Sequence, residues 1–246
     1  MTDTFAGKVV LITGGARNLG RAMGVAFAKR GASVAINARA GGAALDETIS
    51  AIEKAGGKAV TCLGDVTDRP AVDKMVADIT TRFGRLDVLV NNAVVHAAKS
   101  FLDLSFEEWR KTITVTLDGA FHVTQAALPA MIQAGGGSII NMGGLMGHMP
   151  IPNRTPTAAS KAGLAGLTRA LASELAAHNI NVNCVAPGPS NTVRTTPFTF
   201  DMKRIPMGRF AEPNEIVATV LMLCGSEGRF ITGQTIHVNG GLFMNN

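Results

Sequence analysis

Apolar residues come in short runs broken by Gly, Asn and Asp, and these runs alternate with stretches of helical period. Residues 8–13 form an apolar run that meets a glycine turn, and a helical pattern follows through Arg30. Further strand-like runs lie at 33–38, 58–63, 86–91, 138–142 and 181–185. Helical segments fall between them at 43–55, 71–83, 106–133 (one helix or two) and 157–178. Strands alternating with helices predict a parallel sheet covered on both faces, because a crossover helix is what returns the chain for a parallel neighbour. Right-handed crossovers then give a doubly wound α/β fold. Residues 192–209 hold Pro197 and Pro206 and little periodicity, the pattern of a mobile lid in a compact domain.

Composition sets bounds on this picture. A chain of 246 residues can bury a full core in one domain, and it contains no internal repeat or low-complexity linker, so 1–246 reads as a single unit. Hydrophobic residues make up 46% and charged ones 17%, as in ordinary globular proteins. No run reaches the roughly 18 apolar residues of a membrane span. The first strand begins at Lys8, which leaves no room for a secretory signal. Cys62, Cys184 and Cys224 are widely spaced and odd in number, so the expectation is free, mostly buried thiols in a reducing cytoplasm. The formal net charge is +5, but the cations are scattered, which argues against nucleic acid. They form a solvated basic surface or, alternatively, attract an anionic cofactor or substrate. No metal-ligand spacing such as His-x-x-x-His is present.

The glycine turn carries the clearest chemistry. Thr13-Gly14-Gly15-Ala16-Arg17-Asn18-Leu19-Gly20 follows a strand, opens a helix and starts a strand–helix–strand unit. In that context Gly14 and Gly20 let the backbone turn sharply and approach a pyrophosphate at the positive helix end, as in a Rossmann dinucleotide site. At the end of the second strand, Asn37-Ala38-Arg39 offers no acid to accept from the adenosine ribose. Arg39 instead supplies a guanidinium suited to a 2′-phosphate, so NADP(H) is expected over NAD(H). A plain surface arginine is the alternative reading.

Four further motifs join this turn: Asn91-Asn92-Ala93, Thr157-Ala158-Ala159-Ser160-Lys161, Pro187-Gly188 and Ile231-Thr232-Gly233-Gln234. Together they resemble the short-chain dehydrogenase/reductase family over nearly the whole chain. The resemblance implies a single-domain Rossmann fold with a substrate loop at about 190–212. It implies that Gly14, Arg17, Asn18, Leu19 and Gly20 cradle the nucleotide, with Asn18 replacing a glycine and tolerating positive φ. Arg17 stands where NADP-preferring relatives often carry a cation. Asp65 and Val66 would hold the adenine, Asn92, Ala93 and Lys161 the ribose, and Pro187, Gly188 and Thr192 the carboxamide. Val94 replaces a glycine and would crowd the nicotinamide side. The long helices and the strand near 235–238 would form a homotetramer or dimer, with a hetero-oligomer beside an active relative as the alternative.

The catalytic set departs from the family pattern. Family members use a serine, a tyrosine, a lysine and an asparagine. The aligned positions here are Gly144, Thr157, Lys161 and Thr116, and the chain has no tyrosine at all. An aliphatic hydroxyl titrates roughly six units above a phenol, a gap of about 8 kcal/mol that a neighbouring lysine alone does not close. His96 is a candidate replacement acid, and Arg154 a candidate contact for an anionic substrate; an ordinary surface role is open for each. His148 and Asn153 are lesser candidates for the pocket. Three readings follow: an NADP(H)-dependent oxidoreductase of a small carbonyl or alcohol with a non-standard proton relay, a non-redox lyase or isomerase using the same pocket, or a non-catalytic cofactor-binding subunit.

Overall fold

The computed structural model describes residues 4–193 and 200–244. Its centre is a seven-stranded sheet in the order β3-β2-β1-β4-β5-β6-β7. The strands are β1 (Val9–Ile12), β2 (Ser33–Ala38), β3 (Lys58–Leu63), β4 (Val88–Asn91), β5 (Gly137–Met142), β6 (Ile180–Pro187) and β7 (Thr235–Val238). Every pairing is parallel. Among the described residues, seven α-helices surround the sheet: α1 (Asn18–Ala28), α2 (Ala43–Lys54), α3 (Arg69–Phe83), α4 (Phe106–Ile113), α5 (Gly119–Gln133), α6 (Thr155–Leu175) and α7 (Pro213–Cys224).

The strand period of two divides the core into two layers. Val10, Ile12, Val34 and Ile36 pack with Met23 and Phe27 of α1, Ile52 of α2 and Ile216 and Val220 of α7. Val9, Leu11, Ala35 and Leu89 point the other way, onto Val72 and Ile79 of α3, Val123 and Met131 of α5, and Leu175 of α6. Burying both faces explains why the strands read as continuous apolar runs rather than alternating ones. Phe27 is fully buried and meets Phe5 edge-on at 5.0 Å; truncating it would cost about 3–5 kcal/mol.

Several boundaries differ from the sequence expectation, each for a local reason. The α1 helix ends at Ala28 rather than Arg30, and the chain turns through Gly31 at φ +90°. The α3 helix starts at Arg69, not 71, because Asp68 caps it and Pro70 fits the first turn, where no N–H is needed. The 106–133 segment is two helices joined by a π-helical stretch, Thr114–Asp118. The last turn of the 157–178 segment tightens to a 3-10 helix. The β4 strand begins at Val88 rather than 86, β5 gains Gly137, and β6 extends to both sides. The α7 helix was not anticipated from the sequence. It opens with Pro213 and a capping box of Glu212 and Glu215, signals hidden by an unusual N-cap residue and a β-branched apolar interior.

Strand order reverses between β1 and β4, so the crevice at their carboxyl ends is the topological switch point where this architecture binds ligands.

Candidate functional site

Buried side chains fix the backbone at the switch point. The Thr13 hydroxyl accepts from the amides of Asn92 (2.9 Å) and Ala93 (3.1 Å). The Asn92 carboxamide donates to the carbonyls of Thr13 and Gly14, each at 3.0 Å. Gly14 lies at φ +58°, and a Cβ there would sit 2.9 Å from Ala93 Cα. A Cβ on Gly20 would sit 2.6 Å from Gly15 Cα. Asn18 adopts φ +53°, so the turn keeps its left-handed step without glycine. The α1 helix begins after an extended Arg17, with no side chain bonded to its first amides and no acid in its first turn. Its free N–H groups and positive dipole end are therefore open to an anion. Side chains cap α3, α4 and α7, whereas α2 and α6 share the uncapped start, so the crowded glycines are what set the α1 terminus apart. Two glycines with no room for a Cβ and an uncapped helix fit a dinucleotide pyrophosphate.

The β2 side is equally fixed. The Asn37 carboxamide donates to the carbonyls of Cys62 (3.1 Å) and Gly64 (2.9 Å), and its oxygen accepts from the Gly14 amide at 3.4 Å. Arg39 follows on the exposed rim, and Arg17 is exposed too. Neither makes a hydrogen bond or ion pair with any other described residue. Arg21, in contrast, is held by Thr48 Oγ1 (2.8 Å), the Ala44 carbonyl and Glu47 (both 2.9 Å). Asp65 Oδ1 accepts from the Thr67 amide (2.9 Å) and hydroxyl (2.8 Å), which shapes the turn into α3. Val66 is buried where Gly119 begins α5; a Cβ on that glycine would approach Val66 Cγ2 to 2.7 Å.

Lys161 lies on α6 with 6% of its surface exposed, and its Nζ donates to the Met142 carbonyl at 2.6 Å. Burial lowers its pKa to about 8, against a smaller opposing influence from Cys184. Thr157 is one helical turn earlier, on the same face of α6. Thr157 is 1% and Thr116 2% exposed, and both hydroxyls are buried without a partner among the described residues. Gly144 is brought against Lys161: a Cβ there would meet only Lys161 Cγ, at 4.0 Å. Leu117 fills the space beside Gly163, which fixes the π-helical stretch against α6. Gly163 thus serves packing within the chain, whereas Gly166 faces open space.

Arg154 meets the chain segment that carries His96. His96 is exposed, and the next residue, Ala97, accepts from Arg154 Nη1 at 3.2 Å. The Lys99 amide also donates to the Asn153 carbonyl at 3.0 Å, so the segment after β4 runs along the entry to α6. Val94 is exposed on this segment. His148 instead meets the His237 ring edge-on at 4.6 Å, and both rings pack near Phe243. Burial lowers the pKa of both histidines.

Pro187 ends β6, and the Gly188 amide donates to the Val238 carbonyl at 2.9 Å. The Thr192 amide bonds the Ser190 carbonyl at 2.9 Å, close to the Ser190–Ala211 bridge. Within the expected substrate loop, 194–199 and hence Pro197 lie outside the described residues, and Met202–Arg204 form one 3-10 turn. Cys62 and Cys184 are buried and Cys224 half-buried, all as free thiols. Among the described residues, no group of three or more His, Cys, Asp or Glu side chains could hold a metal ion. No described helix is long and apolar enough to cross a membrane.

Sequence reasoning missed a buried polar chain behind the site. Asn91 Nδ2 donates to Thr124 Oγ1 (3.0 Å) and Asn141 Oδ1 (2.9 Å), and Asn141 Nδ2 donates to Thr168 Oγ1 (2.9 Å). It ties β4 and β5 to α5 and α6. An asparagine near the end of each of two largely apolar strands was the available signal.

A sequence model of the family described as enoyl-(acyl carrier protein) reductase matches residues 14–243. A 3-oxoacyl-[acyl-carrier-protein] reductase FabG from Thermotoga maritima is 39% identical over 243 residues, covering 97% of this chain and 98% of the relative. The Aquifex aeolicus protein of the same description is 37% identical, over 96% of this chain and 98% of its own. Among solved structures, a protein provisionally assigned as a short-chain alcohol dehydrogenase from Sinorhizobium meliloti 1021 superposes with a TM-score of 0.93 at 38% identity, over 98% of both chains. One provisionally assigned as a short-chain dehydrogenase/reductase from Burkholderia xenovorans gives 0.92 at 36%, over 97% of both.

Proposed function

The chain belongs to the short-chain dehydrogenase/reductase family, and from that premise we propose that it is an NADP(H)-binding oxidoreductase of a small carbonyl or alcohol, with Lys161 as its proton donor. The observation that carries the nucleotide half is the pairing of two glycines that admit no Cβ, Gly14 and Gly20, with the uncapped start of α1. Arg17 and Arg39, exposed on the rim, are the groups for a 2′-phosphate. Asp65, Asn92, Gly188 and Thr192 line the rest of that cleft in this reading. The relatives described above are named for reducing a 3-oxoacyl group, so a ketone beside a carboxyl derivative is the substrate class to test first.

The bound nicotinamide would supply a hydride to the carbonyl carbon. The chain must then deliver a proton to the oxygen. Thr157 and Thr116 can orient that oxygen or a water through their unpaired hydroxyls, but their acidity is too low for them to be the donor. Lys161, near pH 8, is protonated at neutral pH and still acidic enough to give up its proton. Its ammonium would leave the Met142 carbonyl, give its proton to the forming alkoxide and so become a neutral amine, which solvent then reprotonates. Arg154, bonded to the carbonyl of Ala97, the residue after His96, would hold an anionic group of the substrate.

A second reading has its own support. Thr157 is 1% exposed and the Lys161 ammonium is tied to a backbone carbonyl, an arrangement suited to a cofactor-binding subunit that does no chemistry. In either reading a dimer or tetramer along α4, α5 and α6 would cover the exposed Phe106, Phe121 and Ile132.

Titration with NADPH and NADH, followed by NADPH oxidation with a 3-oxoacyl thioester panel, separates these readings. Turnover that falls as pH rises through about 8, and is lost in Lys161→Met while NADPH still binds, supports the oxidoreductase. Turnover appearing only in Thr157→Tyr, alone or with Gly144→Ser, supports the binding subunit. The serine has space, although φ +158° at 144 asks for some backbone adjustment. Absence of nucleotide binding rejects both.

A further inference from the structure

Asn18 does more than tolerate its position in the glycine turn. Glycine meets a φ of +53° at no steric cost, whereas asparagine carries a penalty there. The side chain supplies a compensating contact across the molecule. Asn18 Nδ2 donates to the Val193 carbonyl at 2.9 Å, and Asn18 Oδ1 accepts from the Val193 amide at 3.0 Å. One carboxamide thus satisfies both backbone groups of a residue 175 positions away in the chain. Aspartate could make only one of these bonds and glycine neither.

The location gives this pair its meaning. Asn18 follows β1, and Val193 follows β6; β4 and β5 lie between those two strands in the sheet. At about 4.8 Å per strand, the contact bridges a gap of about 14 Å over the carboxyl ends of four strands. The far side of the bridge is itself anchored. The Asn191 amide donates to the Ala211 carbonyl (2.9 Å), the Ala211 amide to the Pro189 carbonyl (3.0 Å), and the Asn191 side chain to Glu212 at the start of α7. Turn, sheet edge and the 188–193 segment therefore form a closed ring around the switch point. Both bonds are solvent-exposed, so each is weak enough to open and close on its own.

We infer that Asn18 is a positioning residue that clasps the nucleotide cleft: by pairing with both backbone groups of Val193 it slows the release of a bound dinucleotide without making the cleft itself. The inference rests on the nucleotide-binding reading proposed above. Because the clasp is made by the chain alone, it also has a signature with no ligand present.

The test uses the full chain and Asn18→Gly, which accommodates the left-handed backbone and removes the side chain with its carboxamide. In nucleotide-free protein, hydrogen exchange at the Val193 amide should accelerate in the variant while β1 and β6 amides keep their protection. In stopped-flow fluorescence, NADPH dissociation should speed up about tenfold with little change in association. Val193→Pro, which deletes the N–H that Asn18 accepts, should accelerate dissociation in the wild-type background and add little to Asn18→Gly. Unchanged Val193 exchange, or unchanged dissociation from a variant that binds NADPH, overturns the clasp. If the wild type shows Asn18-dependent Val193 protection but binds neither NADPH nor NADH, the bridge exists, and both the nucleotide reading and the inferred role fall.

Discussion

Lys161 donates to the Met142 carbonyl at 2.6 Å from a site that excludes nearly all solvent. The helix that carries the lysine is thereby locked to the end of β5, where Gly144 opens the adjoining turn. A cation in such a place has one strong partner and a large desolvation cost. The same burial that threatens stability brings the ammonium into the pH range useful for acid catalysis.

That cost has a measurable pH signature. A lysine with a lowered folded pKa loses its proton in the native state first, at about 8, while the unfolded chain holds it to near 10.5. The unfolded state binds more protons across this window, so native stability should rise with pH there. The difference of about 2.5 units corresponds to roughly 3 kcal/mol. The buried thiols, whose pKa values are raised, pull stability down above pH 9 in both proteins, so the Lys161 contribution is the wild-type curve minus that of Lys161→Met, and in urea melts from pH 7 to 10.5 that difference should rise. Parallel curves would mean that Lys161 titrates normally.

Gly14 and Gly20 should be intolerant of alanine for different reasons. At Gly14 the Cβ meets Ala93 and the backbone sits at φ +58°, a conformation that costs a non-glycine residue about 1–3 kcal/mol. At Gly20 the obstacle is steric, with backbone of the same turn 2.6 Å away. Gly14→Ala should lower stability by about 1–3 kcal/mol, and both variants should lose NADPH binding in fluorescence titrations. Full binding by Gly20→Ala would show that the turn does not hold the pyrophosphate.

Arg39 should discriminate between the two nicotinamide cofactors. It stands on the rim just past β2, with no described protein partner to satisfy its guanidinium. Arg39→Ala should weaken NADPH about tenfold or more, in line with a lost charge-assisted contact, and leave NADH within about twofold. Arg17→Ala should add to the effect. Equal losses for both nucleotides would assign Arg39 to something other than the 2′-phosphate.

Sequence legibility followed physical range. The spans of β2 and β3 and the glycine turn were readable because period, apolar runs and a left-handed step are local properties. The meeting of Arg154 with Ala97 was not, since it depends on how the segment after β4 lies across α6. The same holds for Asn91 and Asn141, which pair only once β4 and β5 are neighbours in register. Thr13 was visible as a motif letter, but its role as acceptor for two amides just past β4 required the fold. The α7 helix was obscured because an apolar β-branched run lacks the polar face that marks helical period.

Acid stability should depend on Asp87, at the opposite end of β4 from the site. Its carboxylate is nearly buried and accepts from Arg85, from Lys8 Nζ at 2.9 Å and from the Val9 amide at 3.0 Å. Burial alone would raise its pKa, but hydrogen bonds from Arg85, the Val9 amide and Lys8, with the Lys8 charge, outweigh burial and hold it below the ordinary carboxylate value. A depressed folded pKa contributes stability that is complete above the unfolded value of about 3.9 and disappears as pH falls through the folded one. Lys8 and Arg85 are about half and a third exposed, so water recovers part of what they lose when the carboxylate is removed. Asp87→Asn should therefore cost about 1–3 kcal/mol at pH 7, below the loss for a fully buried pair. The gap between wild type and variant should narrow as pH drops below about 4, because protonation makes the wild type resemble the amide. Thermal melts between pH 3 and 7 measure this directly, and a gap that stays constant to pH 3 would place the stabilisation in packing rather than charge.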